Sequence, residues 1–151
     1  MREPDAREPL DLRPALIALA VLLAYSSSHS VPWLFDDVQF ILTRPELRDL
    51  GDPVALLSAR TTRPAVFLTL ALNWAISDSE PYSYHALNLL LHLVGALALY
   101  GVVRRTLRLP GVTTSLRRTA ESAALVAALL WALHPVSTQA VAYVWQRCES
   151  Q

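Results

Sequence analysis

The sequence contains no lysine, one cysteine, one methionine and 4 glycines, and charge is missing altogether from three long stretches. Each shortage excludes something. Cys148, the sole cysteine, cannot form an intrachain disulfide or a thiolate metal cluster. Only 17% of residues are charged, against roughly a quarter in ordinary soluble domains, so the composition leans toward a membrane. A formal net charge of zero gives no reason to invoke a nucleic-acid partner. All 13 basic residues are arginine, which with the Ala and Leu richness points to a GC-rich bacterial genome. No repeat of solenoid period is present.

What fills the space is apolar length. Hydrophobic residues make up 53% of the chain, and uncharged gaps of 22, 23 and 25 residues separate Arg13 from Asp36, Glu80 from Arg104, and Glu121 from Arg147. At roughly 1.5 Å per helical residue, each gap exceeds the ~30 Å hydrocarbon core. A fourth gap, residues 64–77, is too short to cross unaided and reads as an interfacial helix beginning at Thr61-Thr62-Arg63-Pro64. The expected fold class is therefore all-α: a polytopic membrane protein of three spans plus an interfacial helix.

The segments follow from those gaps. Residues 1–13 form a cytoplasmic arm, 14–35 the first span and 36–83 an external loop containing the helix 64–77. Residues 84–103 form the second span, 104–119 a cytoplasmic Arg-rich loop, 120–135 the third span and 136–151 an external helical segment. The N-terminus is assigned to the cytoplasm because the arm and the 104–119 loop then share eight arginines on one side, against five on the other. A cleaved signal peptide is the rival reading of the first span, since its apolar core is short and Ser26-Ser27-Ser28 follows. If residues 64–77 also crossed, the charge bias would accept the inverted topology; span length argues against it.

Several polar residues stand where a membrane protein keeps few. Asp36-Asp37 directly follows the first span; one carboxylate can act as a general base toward a hydroxyl, with the other tuning it or holding a divalent cation. The plainer reading is a charged stop at a helix end. His85, Asn88 and His92 fall within about 60° of one another on the second span, and Gly95 continues that side. They suit one wall of a polar, phosphate-facing cavity, or equally a set of interhelical hydrogen bonds. Two histidines seven residues apart without a neighbouring carboxylate make a poor zinc site, so no metal ligands are assigned. Thr69, Asn73 and Ser77 recur every fourth residue, opposite Phe67, Leu70 and Trp74, as an interfacial helix would have them. Arg63 and Arg147 can each face a phosphate or simply anchor at the interface. His134-Pro135 marks a helix break.

Taken in order, Phe35-Asp36-Asp37-Val38, Thr62-Arg63-Pro64 with Phe67-Leu68-Thr69, Asn73, Tyr84-His85-Ala86-Leu87-Asn88-Leu89-Leu90-Leu91-His92 and Ala132-Leu133-His134-Pro135-Val136-Ser137-Thr138-Gln139-Ala140-Val141-Ala142-Tyr143-Val144 form a recognisable series. It resembles the N-terminal part of bacterial membrane proteins akin to the transmembrane and tetratricopeptide repeat O-mannosyltransferases, of the GT-C superfamily. The resemblance covers roughly residues 15–151, and it rests on the order and spacing of the motifs rather than on any one of them. It implies inverting transfer of a hexose, typically mannose, from a polyprenyl-phosphate donor to a Ser or Thr hydroxyl of a protein. Asp36 would be the catalytic base and Asp37 its partner; Arg63, His85, Asn88, His92 and Arg147 would serve the donor and its phosphate. The partners implied are that donor, a protein acceptor and the lipid bilayer, in a bacterial inner membrane. Such proteins have about ten or more spans, so an incomplete GT-C-type fold, inactive as this fragment, is expected. A non-catalytic anchor or assembly module is the alternative. A transporter segment would want broken helices near mid-membrane, and only His134-Pro135 offers one.

Overall fold

In the computed structural model, residues 11–48, 50, 51, 54 and 63–147 are described, and all regular structure among them is helical. The first ten residues of the arm, the Thr61-Thr62 helix start and the last four residues, including Cys148, lie outside the described residues. Six α-helices are described among these residues: α1 (Arg13–Ala24), α2 (Pro64–Ser77), α3 (Tyr82–Leu107), α4 (Thr114–Arg118), α5 (Ala120–Ala132) and α6 (Ser137–Ala142). A π-type turn at Val38–Leu42 and tight 3-10 turns at Ser28–Ser30 and Pro45–Arg48 shape the loop between α1 and α2.

Local chemistry sets the ends. Pro14 and Pro64 sit in the first turns of α1 and α2, where a missing N–H leaves no bond unmade. α1 stops at the serines: the Ser26 hydroxyl donates to the Leu23 carbonyl at 3.0 Å, offering the backbone an alternative to another turn. α5 stops before His134-Pro135, because the residue ahead of a proline is steered away from helical geometry. α1 and α5 therefore have 12 and 13 residues, shorter than the expected spans 14–35 and 120–135. With 26 residues, or about 39 Å, α3 is the one helix among the described residues long and apolar enough to cross a membrane.

α3 is the axis of the packing. Ala120, Ala124, Ala128 and Ala132, every fourth residue of α5, are buried in a core with Ala96 and Tyr100 of α3 and Ile17, Val21 and Tyr25 from α1 and its end. Small residues at that period let two helix backbones approach closely. At one end of this bundle Arg13 and Arg108 each form an ion pair with Glu121, Arg104 lies 3.6 Å from the same carboxylate, and the Tyr100 hydroxyl donates to Asp11 at 2.9 Å. The start of α1, the end of α3 and the start of α5 thus meet, so α1 and α5 run antiparallel to α3. A second core near the other end joins Ile41, Leu47, Val66, Phe67, Leu70, Tyr84 and Val144.

The outside is apolar. Leu16, Leu19 and Leu23 on α1, Leu68, Leu72 and Ile76 on α2, Leu90, Val94 and Val102 on α3, and Val126 and Leu130 on α5 are all exposed. α2 departs from the interfacial pattern. Its Asn73 is buried, with the side-chain amide donating to the Ser83 carbonyl at 3.0 Å, while Leu68, Leu72 and Ile76 face outward. Asn73 is packed inward together with Phe67 and Leu70, so the polar and apolar sides named from the sequence both meet the core.

Candidate functional site

The segment between α1 and the π-type turn is held at three points before it reaches the acidic pair. The Val31 carbonyl accepts from His85 Nε2 at 2.9 Å, which makes Nε2 the protonated nitrogen and leaves the buried Nδ1 without a hydrogen-bond partner. The Trp33 indole N–H donates to the Ser79 carbonyl at 2.8 Å, and its ring meets Tyr84 edge-on at 4.9 Å. Leu34 N–H donates to Asp37 Oδ2 at 3.2 Å. Phe35 then takes a φ of +42°, a conformation that strains a bulky side chain, and projects into the open with 86% of its surface exposed.

That kink gives the two carboxylates opposite surroundings. Asp36 is exposed. Asp37 is fully buried, and its Oδ1 accepts the Trp145 N–H at 2.6 Å. Burial raises the Asp37 carboxyl above its ordinary value, against the pull of the Trp145, Leu34 and Val144 N–H groups and of His85. The neighbour of Asp36 is Tyr143: burial first, and then the Asp36 carboxylate, raise its phenol. The Phe35 and Tyr143 rings lie edge to face at 6.4 Å. Both line an open cavity of about 320 Å³ together with Leu34, Thr138, Gln139 and Ala142.

His85, Asn88 and His92 are all buried on one side of α3, and each fastens a different piece of chain. His85 holds Val31, as described. His92 Nε2 donates to the Ala132 carbonyl at 2.9 Å, the same oxygen that accepts the Tyr25 hydroxyl at 2.8 Å, and the imidazole stacks on Trp131 at 4.9 Å. Asn88 accepts Arg147 Nε at 2.7 Å. Arg147, only 1% exposed, also donates from Nη1 to Thr69 Oγ1 and Asn73 Oδ1 and from Nη2 to the Tyr84 carbonyl, each at 3.0 Å. One guanidinium thereby ties α2, α3 and the segment after α6 together. A second open cavity of about 440 Å³ borders this network, lined by Asn88, His92, Gly95, Trp131 and Arg147 among others. Arg63 is exposed at the start of α2, its carbonyl accepting the Phe67 N–H at 3.4 Å.

The fold thus draws Asp37, His85, Asn88, His92 and Arg147 into internal hydrogen bonds and leaves Asp36 and Arg63 at the surface. Among the described residues no group of three His, Cys, Asp or Glu side chains is arranged to hold a metal ion. With Asp37 committed to backbone N–H groups, the acidic pair is not a ready-made chelate for a divalent cation. Tyr143 and Tyr25 are not among the site residues that the sequence singles out, although Tyr143 lies in the last of the motifs, Ala142-Tyr143-Val144.

The chain is 33% identical to the protein O-mannosyl-transferase Tmtc3 of Drosophila melanogaster, across 88% of this chain and 17% of that protein. It is 31% identical to the protein O-mannosyl-transferase TMTC3 of Mus musculus, across 89% and 15% respectively. It is 30% identical to the human protein O-mannosyl-transferase TMTC1, across 98% and 18%. The chain therefore spans less than a fifth of the length of these relatives. No family model matches it, and no solved structure does.

Proposed function

From that similarity we propose that the chain is part of a membrane-embedded protein O-mannosyl-transferase of GT-C type, using a polyprenyl-phosphate hexose and a protein hydroxyl. It would lie in a bacterial inner membrane with the N-terminus cytoplasmic. In this reading the chain crosses three times. Beyond α3 itself, support comes from how the other two stretches run beside it. The first passes from Arg13, at the Glu121 ion cluster, to Val31 at His85. The other passes from Glu121 to Ala132 at His92, and the external segment beyond it folds back onto α3 through Arg147 at Asn88. The Ser28–Ser30 turn interrupts the first stretch and α5 ends at Ala132, so both crossings would be sheltered by protein.

The observation that carries the mechanism is the division of labour in Asp36-Asp37: one carboxylate is exposed beside Tyr143, a residue lining the 320 Å³ cavity, and the other is buried and bonded. Asp36 would take the proton of a Ser or Thr hydroxyl as its oxygen attacks the anomeric carbon. The bond from that carbon to the phosphate oxygen breaks, the configuration inverts, and polyprenyl phosphate departs carrying the electron pair. A phosphate leaving group is a weak base and needs charge stabilisation rather than a general acid. Arg63, exposed, is the cation assigned to it. The test uses the longest reading frame that contains this sequence, expressed in membranes and supplied with lipid-linked mannose and an acceptor protein. Asp36→Asn should lower transfer by about 10²–10⁴-fold, the usual contribution of a general base. Transfer at the wild-type rate would sink the assignment. A non-catalytic membrane module is the second reading, favoured because five of the seven candidate residues are spent on internal hydrogen bonds.

A further inference from the structure

We propose that Asp37 is a positioning residue rather than a second catalytic carboxylate: it latches the turn bearing Asp36 onto the segment after α6. The inference rests on the reading of Asp36 as the base. Both Asp37 oxygens are engaged, Oδ2 by the Leu34 N–H at 3.2 Å and Oδ1 by the Trp145 N–H at 2.6 Å, in a side chain with no exposed surface. No lone pair is left facing solvent where a hydroxyl acceptor could approach, so direct proton transfer to Asp37 is closed.

The latch spans 108 residues of sequence and joins a strained turn to a segment anchored elsewhere. On one side is the strained Phe35 turn, whose φ of +42° needs outside support to persist. On the other is the 143–147 segment, itself clamped by Arg147 to α2 and α3. Its residue Tyr143 stands beside Asp36 and shares with Phe35 the wall of the 320 Å³ cavity. Releasing Asp37 separates Asp36 from Tyr143 and from that cavity without removing any group that would touch substrate.

The titratable groups facing Asp37 are His85 from α3, Tyr143 from the partner segment and its own neighbour Asp36. Protonation converts one accepting oxygen into a donor aimed at an N–H group, so acid opens the latch. An amide at this position does the same permanently and no longer titrates.

The experiment compares wild type, Asp37→Asn, Asp37→Glu and Asp36→Asn in the full-length membrane protein. Amide exchange at Trp145 should quicken about ten- to a hundredfold in Asp37→Asn, the loss of one hydrogen bond to a charged group. Asp37→Glu keeps two oxygens and should recover part of that protection; it also supplies the comparison if the amide variant does not accumulate. Acceptor KM should rise in Asp37→Asn, and the acid limb of transfer should become shallower by about one proton. Unchanged Trp145 exchange in Asp37→Asn overturns the latch. So does quickened exchange with unchanged KM and acid limb, which would make the contact merely structural. If instead Asp36→Asn transfers normally, the function assigned to Asp36 fails; the exchange result still decides whether the contact exists.

Discussion

At the residue scale the decisive side chain is Arg147. Four of its hydrogen bonds reach Asn88, Thr69, Asn73 and the Tyr84 carbonyl, which lie 59, 78, 74 and 63 residues away in sequence. A planar guanidinium can serve these directions at once because its N–H groups diverge in a fixed fork. Arg147→Met leaves those oxygens buried and bare. The expected loss is roughly 2–4 kcal/mol of stability, read as a lower midpoint of thermal unfolding in detergent. Arg147→Lys should restore little, since a single ammonium cannot span α2 and α3 together. An unchanged midpoint in Arg147→Met would mean that the network carries no stability. The sequence marks Arg147 as a lone cation at the end of an apolar stretch, and a lone cation suggests an anion. That its acceptors include neutral side chains on two other helices is a fact of tertiary structure with no local trace.

At the element scale the α3–α5 contact sets the spacing of the bundle. Ala124 and Ala128 are fully buried, and a Cβ added at Gly95 would come within 3.1 Å of the Trp131 ring. There is no slack for a larger group. Ala128→Leu should destabilise by about 1–3 kcal/mol through overpacking, whereas Val126→Leu on the exposed side of the same helix should be near neutral. Thermal unfolding of the two variants checks this; equal midpoints would mean that the helices part freely. The helical class was legible from charge gaps, and so was the α3 span, because nothing inside residues 84–103 competes with helix formation. The gaps were poor guides to α1 and α5 because charge is only one helix-relevant property. Ser26 hydrogen-bonding back to Leu23, and Pro135 constraining His134, end helices without adding any charge. The burial of His85, Asn88 and His92 on one side of α3 follows from their 100° spacing. Which chain segment each would hold does not, and neither does the contrast between adjacent Asp36 and Asp37, which depends on the positive φ at Phe35.

At the scale of the whole molecule, charge and polarity separate along α3. Arg104, Arg105 and Arg108 cluster at its end with Arg13 and Glu121, while His85, near the other end, holds the strand of chain leading to Asp36. The nineteen helical steps from His85 to Arg104 amount to about 28 Å, close to the thickness of the hydrocarbon core. The exposed leucines and valines occupy the surface in between. In the proposed reading the two ends of α3 would face different aqueous compartments, the arginine end the cytoplasmic one. In a Cys148→Ser background, a thiol introduced by Gln39→Cys should react with a membrane-impermeant maleimide in sealed right-side-out vesicles. One introduced by Arg105→Cys should react only after permeabilisation. Reversed labelling would invert the topology and put Asp36 on the cytoplasmic side. Labelling of both from outside would show that α3 does not cross, and the glycosyltransferase reading would lose its premise, because a base and a lipid-linked donor must meet on the same side of the membrane.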